Sequence, residues 1–554
     1  MQYDYKQIFK GSSLMVIVPH EDDEINLAGA VIRGAAESGM DVTCVFLTNG
    51  DWFYPPEVRL NEAIQALRAL GMQEDHIVFL GYRDGGVHAE RSSYRKRSAL
   101  MGRHVQTRGL ENHPEFAFQE YGIHHDCVRE ALLQDMEDVI RTYRPDAIIA
   151  TDWDHHPDHK MCSLVFDTAM GRILRERDNT YHPVVLKGFA YNTTYNGVDD
   201  FSSPNLLSAK MNRDNLWNQN IETDDPCYRW EDRIRVPLRA SCREQVLTKN
   251  PLYKAMCCHV SQGMMRRARR IINADQVFWQ RRTDNLALRG VMTASSGEAD
   301  FLHDFKLFHA EDLSTQPTRM EEYVWRPAAG DREAWCRCTF AEEQTIREIV
   351  FHGNAAKNER ILEGELSFSN GQKFLTGPFQ PWGMPNVVRF PIQEKIKWVQ
   401  FRILKRETKN AGISEWEIFS DSTCRLRIFK ILIDDHFAYT WYVKSEVKAE
   451  VSLYSTELQQ NVRWYWNGAP CPLETIQQNV RTVRLGVIRA ELADDSSIYD
   501  EVQVKPWNQR EALKYQWRRF KNWAALKYEK KRERADYHRA KKAGQLFFAA
   551  RSNK

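Results

Sequence analysis

The fold of this chain is decided near its start by the stretch SLMVIVPH, residues 13–20. Residues 13–18 form a short and almost entirely apolar run, which is typical of a strand buried on both faces of a parallel sheet. Pro19 and His20 then mark the end of that strand. A stretch of small residues with helical spacing follows at 25–38. We therefore predict that the chain opens with a strand followed by a helix.

The same alternation of strand and helix continues as far as Thr151. Further strands are predicted at 41–48, 76–80 and 145–151, and helices at 56–70 and 126–143. Strands that alternate with helices form a parallel sheet covered by helices on both faces. Binding sites in such sheets lie beyond the carboxyl ends of the strands.

The second half of the chain has a different sequence pattern. Beyond residue 285, short strands alternate with Gly, Pro and Asn, which indicates antiparallel β domains. We therefore expect an α/β protein with a Rossmann-like parallel sheet, followed by two β-sandwich domains and a basic helical tail. The predicted boundaries are 1–285, 286–421, 422–507 and 508–554.

Composition narrows the class of protein. Of the 554 residues, 42% are hydrophobic and 27% charged, and no apolar run approaches the roughly 20 residues that cross a bilayer. The first residues lack the pattern of an export signal. Eleven cysteines without a repeated spacing argue against a secreted disulfide framework. We therefore expect a cytoplasmic protein without a disulfide scaffold.

The tail, residues 508–554, carries most of the charge asymmetry. It holds 15 Lys and Arg against 4 Asp and Glu, a local charge of +11, so that the other residues sum to −9. Leu513, Trp517, Phe520 and Ala524 fall at helical spacing among the basic residues. Such a helix fits an anionic membrane surface, at the inner face of the membrane, or packing onto a β domain with a solvated basic face. Nucleic-acid binding is less favoured, because no recognition module accompanies the tail.

Two motifs carry the chemistry. The first predicted strand ends in PHEDDE, residues 19–24, and the fourth ends in DWDHHPDH, residues 152–159. Either motif alone is more often a cap or a surface feature. Two of them at strand ends in one domain favour a metal site. A catalytic zinc takes three ligands from His, Asp or Glu and leaves a position for water.

These motifs resemble those of the PIG-L/LmbE family of zinc-dependent N-deacetylases, over roughly residues 12–270. The family pattern is usually P-H-[PA]-D-D-E, so Glu21 departs from it, and we expect its side chain to point away. The resemblance implies three metal ligands, a general base, an acid that stabilises the oxyanion or protonates the leaving amine, and a residue that orients this acid. They are His20, Asp23 and His159 as ligands, Asp22 as base, His156 as acid and Asp158 as its orienting residue.

Weaker matches lie elsewhere in the first domain. RLNEA at 59–63 and LGYRDG at 80–85 are similar to family stretches, which makes Arg59 and Asp84 candidates for binding sugar hydroxyls or for a structural ion pair. The family's A-x-x-x-H-x-S-Q stretch resembles 254–262, where Lys254, His259 and Gln262 are expected to pack and cap. The connection 83–125 is long and basic, and we expect it to be a substrate-binding lid.

The β domains also carry resemblances. Strands at 398–403 and 412–419 resemble the discoidin, or factor V/VIII type C, sandwich, which in many proteins binds carbohydrate. The segment 426–505 is similar to a small immunoglobulin-like sandwich and is expected to be a spacer or interaction module.

The resemblance implies a zinc-dependent hydrolase that removes acetyl from an N-acetylhexosamine unit of a glycan, glycolipid or polysaccharide precursor. Other divalent metals suit such a site as well. Zinc would lower the pKa of a water to about 7, Asp22 would take its proton, and a protonated His156 would stabilise the oxyanion. Two alternatives stay open: an amide hydrolase of small acylated amino-sugar metabolites, or a carbohydrate-binding scaffold with an inactive catalytic domain. The oligomeric state is left open.

Overall fold

The fold was analysed in a computed structural model of the protein. The structure describes residues 3–52, 54–84, 104–154, 156–190, 195–198, 200–211, 228–263, 271–307, 324–354, 358–420, 426–444, 449–456 and 461–552.

The α-helices and strands of these residues alternate first, whereas the later part of the chain consists mainly of strands and contains two further helices. The helices are α1 (Tyr5–Phe9), α2 (Asp23–Glu37), α3 (Pro56–Ala69), α4 (Phe116–Tyr121), α5 (Arg129–Tyr143), α6 (Pro157–Leu174), α7 (Pro251–Met256), α8 (Leu473–Arg481) and α9 (Gln509–Ser552). The strands of the first domain are β1 (Ser13–Val18), β2 (Asp41–Thr48), β3 (Ile77–Tyr82), β4 (Ala147–Thr151), β5 (Val184–Gly188), β6 (Tyr195–Asn196), β7 (Lys210–Met211), β8 (Ile234–Pro237) and β9 (Asp275–Arg281).

Later strands follow in the same chain order. They are β10 (Val291–Ala294), β11 (Trp335–Ile346), β12 (Glu348–Gly353), β13 (Ile361–Phe368), β14 (Lys373–Thr376), β15 (Pro385–Val388), β16 (Gln393–Arg406), β17 (Ile413–Phe419), β18 (Phe429–Ile433), β19 (His436–Phe437), β20 (Thr440–Val443), β21 (Val451–Ser455), β22 (Val462–Trp466), β23 (Ala469–Pro470), β24 (Gly486–Leu492) and β25 (Tyr499–Pro506).

The first sheet has the strand order β3-β2-β1-β4-β5-β9-β8. Its first five strands are parallel, whereas β9 and β8 pair antiparallel with their neighbours. β1 and β2 have the predicted bounds, and the predicted α/β class is confirmed. The sequence did not indicate β5, β8 or β9.

The apolar run of β1 is explained by burial on both faces. Leu14, Val16 and Val18 face one hydrophobic core, and Met15 and Ile17 face another on the opposite side of the sheet. Alternate residues of a strand point to opposite faces, so a central strand with helices on both sides has no position for a polar residue. Polar residues therefore begin only where β1 ends.

The next region is a sandwich of two antiparallel sheets, ordered β10-β11-β16-β13-β14 and β15-β12-β17. Its core contains Trp325, Phe351, Phe401 and Trp416, and the Phe351 ring lies 4.6 Å from that of Phe401 between centroids. The aromatic rings therefore join the facing sheets.

The third β region holds a three-stranded sheet, β19-β18-β21, and a five-stranded sheet, β20-β25-β24-β22-β23. Two features were not predicted: α8 contributes Ile476 and Val480 to the core, and β20 pairs parallel with β25. The immunoglobulin-like assignment stays a prediction.

The chain ends in α9, which confirms the predicted helical tail. Its first half lies against the first domain over two short 3-10 helices, Leu247–Lys249 and Val260–Gln262. Within the described ranges, no helix combines the length and the apolar character needed to cross a membrane.

Candidate active site

The turn after β1 places the first motif at the carboxyl edge of the sheet. Asp22 has a φ of 134°, a region that side-chain-bearing residues rarely occupy, and which typically costs about 1–3 kcal/mol. Two contacts hold it there: its backbone N–H donates to Glu24 Oε2 at 2.8 Å, and Asn26 Nδ2 donates to its carbonyl oxygen at 3.1 Å. The fold therefore fixes Asp22 against a backbone preference.

The three predicted ligands converge beside this turn. Asp23 Oδ2 lies 3.2 Å from His20 Nδ1 and 3.2 Å from His159 Nε2. All three residues are buried. The rings of His20, His156 and His159 also bring one nitrogen each within 4.8 Å of the others. The structure thus gathers residues separated by more than 130 positions in sequence, because β1 and β4 are neighbouring parallel strands.

The site fits a divalent cation. Asp23 Oδ1 and Asp158 Oδ1 are buried and accept no hydrogen bond from the residues that the structure describes. Burying a charged oxygen without a donor is costly, and a cation would supply the missing partner. Imidazole and carboxylate are the donors that zinc takes in catalytic sites. The sequence prediction of a metal site is therefore consistent with the donor chemistry.

A residue that the sequence analysis missed supports His159. Asp154 Oδ2 accepts a hydrogen bond from His159 Nδ1 at 2.7 Å, which leaves Nε2 to face Asp23. A carboxylate behind a ligating histidine fixes its tautomer and raises its basicity. The only sequence signal was an acidic residue in the same motif, without any indication of where it would point.

We expect Asp154→Asn to weaken metal binding by about 10–100-fold, because the amide no longer fixes the His159 tautomer. Competition of purified protein with a coloured zinc chelator would measure this loss. The change conserves shape, so the melting temperature of the metal-free protein should be nearly unchanged. Zinc affinity equal to that of the unsubstituted protein would contradict the supporting role.

The electrostatics of the metal-free cluster are set by its carboxylates. Burial lowers the pKa of His20, but hydrogen bonds to Asp158, Asp23 and Asp84 outweigh burial and raise it well above its usual value. Burial also lowers the pKa of His159, yet Asp154 and Asp23 raise it to about 9. The neighbouring carboxylates therefore favour the positively charged form of both rings in the metal-free protein. A bound cation would take the place of that charge.

The sequence analysis expects a protonated His156, but the surroundings of this ring favour its neutral form. Burial, with the positive charges of His20 and His159, lowers the pKa of His156 well below its usual value. Its Nδ1 accepts a hydrogen bond from the backbone N–H of Asp158 at 3.2 Å, so the single proton of a neutral ring is on Nε2. The protonated His156 of the sequence prediction is therefore replaced by a neutral ring that can still donate.

Asp158 also contacts different atoms from those predicted. Its backbone amide orients His156, whereas its carboxylate Oδ2 lies 3.3 Å from His20 Nε2. Asp84 Oδ1 approaches the same nitrogen at 3.8 Å. His20, Asp84 and Asp158 thus form a second group whose ligand atoms lie within 4.8 Å of one another. The predicted substrate residue Asp84 thus belongs to a group of residues that could hold a metal ion.

Arg59 is held inside the protein. Its Nη2 atom donates to the carbonyl oxygen of Glu21 at 2.5 Å and to Asp22 Oδ1 at 3.2 Å. Of the two predicted roles, these contacts favour the structural ion pair, with Asp22 as the partner. The carboxylate of Glu21 is fully buried near Arg59 Nε, at 3.5 Å. The departure from the family pattern at Glu21 therefore adds an acidic group beside Arg59.

The remaining predicted stretches frame the site. His259 Nε2 lies 2.6 Å from Glu24 Oε1, and both side chains are buried, which agrees with the expected packing role. Gln262 donates to Ser261 Oγ at 2.8 Å, while Lys254 is exposed. Of the predicted lid, residues 85–103 lie outside the described residues, so the lid stays a prediction.

Comparisons with known proteins point to the same region. Residues 15–170 match the family model PIG-L, described as GlcNAc-PI de-N-acetylase. Residues 285–419 match DUF7402, described as a domain of unknown function. No curated protein matches the chain.

Several solved structures are similar to parts of the chain. One is N,N'-diacetylchitobiose deacetylase from Pyrococcus horikoshii with its inhibitor, at 18% identity and a TM-score of 0.24, covering 36% of this chain and 67% of that one. The lectin domain of lectinolysin with Lewis B antigen matches at 16% identity and 0.20, covering 25% and 99%. Chitosan-binding module 1 of a Paenibacillus sp. IK-5 chitosanase/glucanase matches at 21% and 0.17, covering 24% and 98%.

The family match extends from β1 into α6 and so includes both metal motifs. It covers the turn that carries Asp22 and the helix start that carries His159. Residues 15–170 therefore form a domain of the PIG-L family.

Proposed function

We propose that this chain is a metal-dependent N-deacetylase that removes acetyl from an N-acetylhexosamine unit of a glycan, glycolipid or polysaccharide precursor. One observation carries the proposal: Asp22 is held beside a buried His and Asp cluster, and its carboxylate pairs with Arg59. The family description, GlcNAc-PI de-N-acetylase, supports an acetylated amino sugar as substrate.

His20, Asp23 and His159 would hold the metal. When bound, zinc supplies a water of lowered pKa and polarises the acetyl carbonyl. Asp22 accepts the proton that the water loses as it attacks the amide carbon, and Arg59 orients this carboxylate. The carbon–nitrogen bond then breaks as Asp22 returns this proton to the leaving nitrogen, and the products are acetate and the free amine.

His156 has the role of an oxyanion donor in this proposal. Its neutral ring carries the proton on Nε2, from which it donates a hydrogen bond to the carbonyl oxygen as negative charge develops there. The backbone amide of Asp158 holds the ring orientation. A neutral donor suits a site that already contains a cation, because a second positive charge there would be destabilised.

The test is an acetate-release screen with full-length protein loaded with zinc. The substrates are nucleotide-linked, lipid-linked and polymeric N-acetylhexosamines, together with small N-acylated amino sugars. We expect acetate from at least one of the first three classes, and none after chelation of the metal. Chelator-treated protein reloaded with zinc is the control for loss of folding.

The screen separates the alternatives. Release from the small amino sugars alone would favour a metabolite hydrolase. Protein that binds sugars but retains no stoichiometric zinc and releases no acetate would favour a binding scaffold, and would overturn the proposal. A cytoplasmic location remains a prediction from the sequence.

A further inference from the structure

The two faces of α9 have different surroundings. One face is anchored to the first domain through Asn522, which is 3% exposed. Its Oδ1 accepts from the backbone N–H of Leu247 at 3.0 Å, and its Nδ2 donates to Ser202 Oγ at 2.9 Å. About two helical turns earlier, Tyr515 donates to Asp200 at 2.6 Å. This inner face is fixed in place by polar contacts with the first domain.

The opposite face carries large apolar side chains. Leu513, Trp517, Phe520 and Trp523 are 72%, 56%, 63% and 57% exposed. Residues three and four apart share one side of a helix, and at 100° per residue this side lies away from Asn522. We call these four residues the outer face of α9. Contiguous exposed apolar side chains of this size mark an interaction surface.

Lysines surround the outer face. Lys521 Nζ lies 3.7 Å from the centroid of the Trp517 ring, and Lys527 Nζ lies 5.9 Å from that of Trp523. Further exposed cations continue along the helix, namely Lys530, Lys531, Arg532, Arg534, Arg539 and Lys542. Apolar rings beside long cationic side chains suit the boundary between acyl chains and phosphate groups, where the rings are buried and the ammonium groups stay at the phosphates.

We propose that the outer face of α9 docks on an anionic lipid bilayer, lying along its surface. The charge of the helical tail is complementary to such a surface, whereas the other residues of the chain sum to a negative charge that an anionic surface repels. Nucleic acid would match the charge, but its phosphate backbone gives no apolar environment for Leu513. The proposal is independent of the proposed catalysis, because every residue it uses lies outside the active site.

The location of α9 also bears on the active site. α9 lies over Val260–Gln262, and the residue before this turn, His259, pairs with Glu24 behind Asp22. A helix is about 10 Å across. A bilayer bound at the outer face would therefore lie close to the first domain, on the side where this segment packs.

The test is co-sedimentation of full-length protein with phosphatidylglycerol/phosphatidylcholine vesicles and with phosphatidylcholine vesicles. The variant combines Trp517→Gln, Phe520→Gln and Trp523→Gln. A matched control combines Val291→Gln, Leu375→Gln and Leu485→Gln, which remove equally exposed apolar side chains from the β regions. We expect the protein and the control to pellet with the anionic vesicles only, and the outer-face variant to lose at least about tenfold in affinity.

A second variant, Lys521→Gln with Lys527→Gln, isolates the charge contribution. It should bind anionic vesicles more weakly and with a smaller dependence on salt. Circular dichroism and melting temperature should match the unsubstituted protein for all variants, because the changed side chains are exposed. Equal pelleting of the unsubstituted protein and the outer-face variant overturns the proposal. A dimer that the outer-face variant dissociates, or an oligonucleotide bound in place of vesicles, overturns it as well.

Discussion

Asp22→Asn is expected to retain the metal and to lose turnover by about 10²–10⁴-fold. The amide keeps the shape of the carboxylate beside Arg59 Nη2, 3.2 Å from Oδ1, but it cannot accept the proton of the attacking water. In the proposed site Asp22 is not a ligand, because His20, Asp23 and His159 are the residues that would hold the metal. Acetate release under saturating substrate, with zinc content measured on the same sample, checks both parts.

A matched control is Asp135→Asn, in the same domain. Asp135 is also buried, and it contacts Tyr82 at 2.6 Å and His125 at 2.8 Å, away from the metal cluster. Its substitution should leave kcat within about twofold of that of the unsubstituted enzyme. The reason is that Asp135 does not contact the residues of the proposed reaction. Full activity in Asp22→Asn would contradict the assignment of Asp22 as the base.

Asp23→Ala is expected to lose both metal and activity. The carboxylate oxygen Oδ2 stands 3.2 Å from a nitrogen of each of the two ligand histidines, so its removal opens the centre of the cluster. We expect zinc affinity to fall by more than about 100-fold, since even residues behind the ligands typically contribute 10–100-fold. Zinc should raise the melting temperature of the unsubstituted protein by mass action and leave that of Asp23→Ala unchanged.

Two further variants distinguish the possible ligand sets. Asp84→Ala and Asp158→Ala each remove a carboxylate from the second group around His20 Nε2. Zinc binding that survives in Asp23→Ala but disappears in both of these variants would assign the metal to His20, Asp84 and Asp158. That pattern would contradict the ligand set that the family resemblance implies.

Sequence patterns predicted the central strands of the first domain because these strands consist almost entirely of apolar residues. Beyond Ser13, β1 contains no polar residue, since both of its faces meet a hydrophobic core, and imidazole and acidic side chains follow after its end. The two motifs could be located in the same way, because each lies at the end of a predicted strand. Parallel strands end at the same edge of a sheet, and β1 and β4 are neighbours in this one.

The antiparallel strands β8 and β9, at the edge of the same sheet, were not predicted from the sequence. β8 contains Arg235, which is 2% exposed, and a charged residue at that position argues against a buried strand. The structure resolves the conflict through Asp275, whose carboxylate accepts from Arg235 Nε at 2.8 Å across the pair β8 and β9. A buried charge is tolerated when it is paired, and the partner lies 40 residues away.

The sequence by itself determined the α/β class, the basic terminal helix and the two metal motifs, because each depends on residue types at local spacing. Tertiary structure alone decided which atom faces which. It turned Arg59 toward Asp22, placed Asp154 behind His159 and left Trp517 on the solvent side of α9. The physical reason is that periodicity reports the burial of a face, whereas hydrogen bonds and exposure depend on distant segments that the chain path brings together.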